Sequence, residues 1–452
     1  MSMWQKLWKK GQQKEEDTEH VEELNGEQTC NPFTEIYFLQ HHTDIVRHLL
    51  IIDERRCVTA GDDGIVVVWD IQLCMKLIVL EAHIRPVTCL LSFRLKNKDS
   101  HLLITGSSDK HIKVWDIEQG KCVQDVTEHE ASVKCLLPIL DDLFLSAGEK
   151  LHLWTGSGIL LDTCVLDKEK QEADISLLIS TNQKNEKFVT ACDKKLTVYS
   201  IKDSLNLDEV NYRICMLKIL PPHLEAIRAL IPVSDKLFAS GSLDGTILLW
   251  SSETFAPLKK LNTMSEYKGK ANVYPYSVQY IACENQRYLL VAIGCGFAIF
   301  DTLSNKLLCK KLKAHYSKVT QLTLLCNGLL LATCSEDGSI RLWGQRSQSS
   351  TGEELMLKSS MGLSPIERFL HVDINFGQLH QHRGSDPVPE PVLLGECLGH
   401  CGSVMKIEDC GFDGMISCGA DNLVISWKNT ELQKMKRNQF IQDQVLNASG
   451  IV

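Results

Sequence analysis

Five times along this chain a histidine is followed, 21 to 26 residues later, by an aspartate, and six residues after each aspartate comes a tryptophan. The sets are His42, Asp63 and Trp69; His83, Asp109 and Trp115; His223, Asp244 and Trp250; His315, Asp337 and Trp343; and His400, Asp421 and Trp427. Four residues before each aspartate stands a hydroxyl: Thr59, Thr105, Ser240, Thr333 and Ser417. This recurrence restricts the fold more than any other feature. Self-similarity at a near-fixed period means stacked units, each burying a face against its neighbour.

The spacing has a physical reading. The aspartates lie in tight turns such as GDDG, SLDG and SEDG, where glycine supplies the positive φ that the turn needs. Runs with β character flank them, such as GIVVVWD and GSIRLWG. Each histidine precedes the first strand of its unit, so strand reversal brings all four side chains into one hydrogen-bonded chain. Such a network is stable only when every buried polar group has a partner. Each bond contributes ~1 kcal/mol net, and an orphaned partner costs more. One set alone could pass for a catalytic cluster. Five in register read as structural tetrads.

Three weaker units fill the gaps. One runs from His129 through FLSAGEKLHLW to Trp154, without a turn aspartate. One runs through FVTACDKKLTVYS, with Tyr199 at the tryptophan position, and one through YLLVAIGCGFAIF, with Phe300 there. All three keep the alternation and are expected to lose the tetrad. The aromatics then fall at 69, 115, 154, 199, 250, 300, 343 and 427, which makes eight units. The last unit ends at Trp427 without a fourth strand. TEIYFLQ, residues 34–40, has strand character and is expected to supply it, which removes an open sheet edge.

At these residues the chain resembles the WD40 family, whose unit is ~40–45 residues of four strands with GH and WD signatures. VWD at 68–70 and 114–116 and GH at 399–400 carry the match. The expected fold is all-β: an eight-bladed WD40 β-propeller with a C-terminal helical tail. Residues 1–30 form a polar, disorder-prone segment with Trp4, Leu7 and Trp8 on one possible helical face. The propeller spans 31–427, with a loop insert at 344–391 between the third and fourth strands of blade seven. That insert contains a candidate helix with Ile366, Phe369, Leu370 and Val372. The tail, 428–452, carries an apolar stripe of Leu432, Met435, Phe440, Ile441 and Val445.

Composition sets limits on function. The net charge of −9 argues against a general nucleic-acid binder, which needs a basic face. No apolar run reaches the ~18–20 residues of a spanning helix, and the N-terminus has no hydrophobic signal core. A cytoplasmic protein with peripheral membrane association only is expected. The 18 cysteines are scattered through strand-like runs and read as small buried hydrophobes. Cys397, His400, Cys401, Cys410 and Cys418 lack a zinc-ligand spacing, and His400 already belongs to a tetrad. GxxxxGK[ST], HExxH and GxSxG motifs do not occur. No cofactor, metal or catalytic residue is expected.

Within the WD40 family, NPFTEIYFLQHHTDIVRHL, TAGDDGIVVVWD, CSEDGSIRLWG and ADNLVISWKN are similar to a group of adaptor propellers over about residues 30–430. The resemblance implies a non-catalytic subunit beside two DENN-domain proteins, the Smith-Magenis syndrome chromosome region candidate 8 protein and the chromosome-9 open reading frame 72 protein. It implies action in autophagy and small-GTPase regulation, with recruitment to the lysosomal membrane surface. Partner contact then falls by position on the N-terminal strand, with Ile36 and Phe38, and on the tail stripe from Leu432 to Val445. The blade-seven loop of that group is associated with a lysosomal amino-acid transporter. Here the insert has Phe369 and Phe376 but no tryptophan. The alternative function is substrate receptor of a cullin-type ubiquitin ligase. Its usual WDxR ending has a counterpart only in Trp343, Gly344, Gln345 and Arg346, which lacks the acid.

Overall fold

Burial grades across each repeat in the same way. In the first, Val46–Ile51 buries only Val46 and Leu49, Arg56–Gly61 and Ile65–Asp70 are almost wholly buried, and Met75–Glu81 is largely exposed. A strand buried on both faces has no polar side to show, which explains the run IVVVW. The computed structural model describes residues 31–429, except 95–100, 141, 165–173, 182–185, 207–208, 262–275, 345–363 and 371–389. Outside that span it describes Val21, Gln433, Lys434 and Arg437.

The described strands form eight four-stranded antiparallel sheets, an eight-bladed propeller. Seven sheets run in chain order. In the eighth, Glu35–Gln40 pairs antiparallel with Leu423–Lys428, Ile36 opposite Trp427 and Leu39 opposite Val424. The first strand of the chain thus completes the last blade. Thr34 N donates to Lys428 O at 2.9 Å, and Phe33 is buried between blades seven and eight.

Eight buried apolar clusters occupy the eight seams between neighbouring blades. Each contains one of the eight repeat aromatics. Trp115 sits between blades one and two, Tyr199 between three and four, Phe300 between five and six, and Trp69 in the closing seam. These aromatics lie on the third strand of each blade rather than the last. The outermost strand, beyond them, is where exposed residues collect.

Two third-to-fourth strand connections depart from the short hairpin. In blade four, Lys195–Asn206 and Glu209–Ile219 remain paired out to Asn206 opposite Glu209, about twice the usual length. In blade seven the insert separates Ser339–Gly344 from Val392–Leu398, which still pair. The insert helix, Pro365–Leu370, starts at a capping box: Ser364 Oγ and N both donate to Glu367 Oε2, at 2.8 and 3.1 Å. Its Ile366, Phe369 and Leu370 are buried in the seam between blades six and seven. They face the chain's own core instead of a partner or solvent. Val372 and Phe376 lie outside the described residues.

Gly328 seats this helix. Its φ is +85°, and a Cβ there would stand 1.8 Å from Pro365 O. Gly328→Ala is expected to cost ~1–3 kcal/mol in backbone strain and to lift the helix from its seam. Limited proteolysis checks this: cleavage within 345–391 should accelerate relative to the parent chain, and an unchanged pattern would show that the helix is not anchored here.

Candidate functional site

The tetrads come first, because they decide whether the recurring histidines are reactive. In blade one, His42 Nδ1 lies 2.9 Å from Asp63 Oδ2, His42 Nε2 lies 2.9 Å from Thr59 Oγ1, and Trp69 Nε1 donates to Thr59 Oγ1 at 2.7 Å. In blade two, His83 meets Asp109 at 3.0 Å and Thr105 at 2.8 Å, with Trp115 on Thr105 at 3.1 Å. Blade seven joins His315 to Asp337 at 3.2 Å and Thr333 at 2.7 Å, with Trp343 on Thr333 at 2.9 Å. Blade eight joins His400 to Asp421 at 3.0 Å and Ser417 at 2.9 Å, with Trp427 on Ser417 at 2.8 Å.

The chemistry of the ends fixes the protons. An indole N–H can only donate and a carboxylate can only accept. The hydroxyl therefore accepts from tryptophan and donates to His Nε2, and Nδ1–H donates to the aspartate. Every proton in the chain is committed.

Blade five differs. His223 Nε2 contacts Ser240 at 2.7 Å and Trp250 donates to Ser240 at 2.8 Å, but His223 Nδ1 meets Thr246 Oγ1 at 3.1 Å. Thr246 Oγ1 in turn donates to Asp244 at 2.6 Å, so the aspartate acts through a relay. Blade three keeps more than the sequence promises. His129 Nε2 meets Ser146 at 2.7 Å, and Trp154 donates to the same hydroxyl at 2.7 Å. The His152 ring packs edge-on against His129, with centroids 4.3 Å apart. The signal was present but displaced: Ser146 precedes Trp154 by eight residues, not ten, because the turn is shorter.

Burial lowers His83, His223, His315 and His400 below the ordinary imidazole value, against the pull of their aspartates. His129, which has no aspartate, is lowered to about 3 by burial, with His152 and Lys150 adding to it. Burial opposes ionisation of Asp63, but hydrogen bonds from His42 and the amides of Ile65 and Thr43 outweigh it and hold the carboxyl low. These five imidazoles are held toward the neutral form, and in the complete tetrads the ring is enclosed and engaged at both nitrogens. They are braces.

Exposed apolar surface lies outside them. Ile36, Tyr37 and Phe38 on the closing strand are 43%, 42% and 51% exposed, while Leu39 beside them is buried. Leu73, Met75 and Leu77 of blade one add exposed apolar surface next to this strand. The Lys428 ammonium stands 5.3 Å over the Tyr37 ring and donates to Gln72 O, tying the two blades together. Opposite Glu35 the chain passes Lys428 into the tail, so the strand and the root of the tail share one corner. Gln433, Lys434 and Arg437 are helical, and Gln433 N donates to Asn429 O at 3.1 Å. Leu432, Met435, Phe440, Ile441 and Val445 lie outside the described residues. Among the described residues no group of three or more His, Cys, Asp or Glu side chains is disposed to hold a metal.

Two outcomes follow for the tetrads. Thr333→Ala orphans both Trp343 Nε1 and His315 Nε2 and is expected to cost ~2–4 kcal/mol, whereas Thr333→Ser keeps the hydroxyl and costs ~1 kcal/mol or less. Denaturant midpoints distinguish them. A histidine depressed in the folded state lets the unfolded chain bind more protons below about pH 6.5. Stability therefore falls as pH drops from 6.5 toward the folded value, about 3 for His129, by up to ~1.4 kcal/mol per pH unit and histidine. The melting temperature should decline steadily from pH 7 to 5. A flat profile would contradict the buried neutral state.

Comparison with known proteins agrees with this architecture. The family model of WDR41 β-propellers matches residues 1–437. Human WD repeat-containing protein 41 is 29% identical over 441 residues, covering 92% of this chain and 92% of the relative. The mouse protein of that name is 28% identical over 442 residues, with 92% of each chain covered. Among solved structures, the computationally designed Ika8 protein superposes with a TM-score of 0.59 at 19% identity, over 86% of this chain and 98% of that one, a likeness of fold alone. The chain belongs to the WDR41 β-propeller family.

Proposed function

We propose that this protein is a non-catalytic adaptor: it joins two DENN-domain proteins and recruits the assembly to the lysosomal surface, in autophagy and small-GTPase regulation. The coarser part, a propeller scaffold for protein interaction, follows from the family and the fold. The observation that carries the finer part is the exposed apolar strip of the closing strand, at the corner where the tail departs. An outermost strand has an unpaired backbone edge as well as side chains to offer. The tail stripe from Leu432 to Val445 supplies a second apolar element in the sequence that follows Lys428. On this reading the blade-seven insert is left to a lysosomal transporter, through residues other than the inward-facing Ile366, Phe369 and Leu370.

Size-exclusion chromatography with the DENN-domain pair tests it. Full-length protein should co-elute with the pair. A truncation ending at Trp427 and the double variant Ile36→Glu/Phe38→Glu should each lose most of the complex while circular dichroism shows them folded. Failure of the full-length protein to co-elute would leave a propeller scaffold with some other partner.

A further inference from the structure

Where each innermost strand begins, the blades share a local departure from regular pairing. Between Val46 and His48 the register against the second strand slips by one residue and sets Arg47 aside. The same slip sets aside Thr88, Arg228, Gln279, Thr320 and Met405. In blades three and four, Lys134 and Ser176 hold the equivalent place, one residue before Cys135–Ile139 and Leu177–Ser180. The residue before each of the eight is a valine or isoleucine at most 3% exposed. A bulge turns its side chain out of the pleat, and bulges recur next to binding sites. In the first four blades this places Arg47, Thr88, Lys134 and Ser176 around one opening where the innermost strands begin.

Read around the first five blades, these positions are Arg47, Thr88, Lys134, Ser176 and Arg228: cation, hydroxyl, cation, hydroxyl, cation. None is acidic, in a chain of net charge −9. The first four line one open cavity of about 400 Å³, together with Ser108, Asp62 and His48. That volume lies within the range of small-ligand pockets. Asp62 is the one acidic side chain of the lining, and it is engaged: Arg47 Nε and Nη2 donate to its two oxygens, each at 2.6 Å. The pair fixes the guanidinium at the rim. The ammonium of Lys134 forms no ion pair or hydrogen bond among the described residues, nor does the Arg228 guanidinium. Ser108 Oγ accepts from Ser132 Oγ at 3.4 Å and keeps its own proton to donate. His48 is lowered to about 4 by burial, with Lys406 adding to it, so it brings no charge at neutral pH.

We propose that this opening binds a phosphate-bearing small ligand, held by the Lys134 ammonium, the Arg47 guanidinium and the Ser108 hydroxyl. An ammonium serves as a point donor to phosphate and a guanidinium as a fork. A soluble organic phosphate and a lipid headgroup present the same group, and the test separates them.

Isothermal titration of the full-length protein with inositol trisphosphate and with inorganic pyrophosphate forms one arm. Flotation with phosphatidylcholine vesicles, with and without a phosphatidylinositol phosphate, forms the other. Saturable binding that weakens with salt is expected. Lys134→Glu, and Lys134→Met, which keeps the stem, should weaken it about tenfold or more, the worth of one lost charged hydrogen bond. Lys259→Glu, the same charge change on the outer strand Pro257–Lys260, should leave it intact. Flotation that depends on the phosphatidylinositol phosphate identifies a lipid headgroup, whose soluble form inositol trisphosphate then competes for it; binding of the soluble probes without flotation identifies a free phosphate. No binding in either arm, or equal losses in Lys134→Glu and Lys259→Glu, overturns the site.

Discussion

Each seam between neighbouring blades is filled by one aromatic ring from a third strand, and the circle holds because all eight seams are filled. A sheet with both faces apolar has no stable existence alone, so each blade depends on the ring wedged against it. The tetrad is a refinement of that wedge. Where the ring is an indole, its N–H enters the blade and must be answered, and Thr or Ser, His and Asp answer it in turn. Where the ring is Phe300, it brings no N–H and no tetrad is built. At Tyr199, stacked on Phe188 at 5.4 Å, packing again does the work. The aromatic is common to all eight blades; the polar chain follows the indole.

This order of importance explains what could be read from the sequence. The five regular sets were legible because hairpins of equal length keep hydroxyl, Asp and Trp at equal spacing, with a His upstream in each. The eight aromatics counted the blades even where the polar signal had gone, because packing tolerates tyrosine and phenylalanine. TEIYFLQ was legible as the missing strand from its run of β-forming residues and from the short last blade. Other features were hidden. Ser146 in blade three moved by two residues with its shorter turn, and a fixed template passes over it. The Thr246 relay needs a side-chain rotation that no spacing encodes. The insert helix was legible from Ile366, Phe369 and Leu370, yet nothing local to it said that Gly328 would receive it. The bulged positions around the opening were invisible, because a one-residue slip appears only when two strands are laid side by side.

The inner and outer strands carry different exposed side chains. Arg47, Lys134 and Arg228 stand where three innermost strands begin, on a chain that is acidic as a whole. At the rim, outer strands carry Ile36, Phe38, Met75, Met216 and Ile219 in the open. The middle strands, buried on both faces, serve both and touch neither. A propeller can therefore change either surface by substitution without disturbing the seams, which is how one architecture hosts many kinds of partner.

The closing strand has a consequence for how the protein is made. Ile36 pairs with Trp427, so this strand leaves the ribosome well before its partner and finds it only when the intervening blades have been made. Until then Leu39 and Phe33 have no seam to enter, and blade one presents an uncovered flank throughout synthesis. Contacts so distant in sequence form slowly, and exposed strand edges of this kind invite aggregation. Blades two to seven can stack as they emerge, each on the one before. The corner at which the circle shuts is thus the last part of the ring to form, and its strand keeps Ile36, Tyr37 and Phe38 exposed once it has.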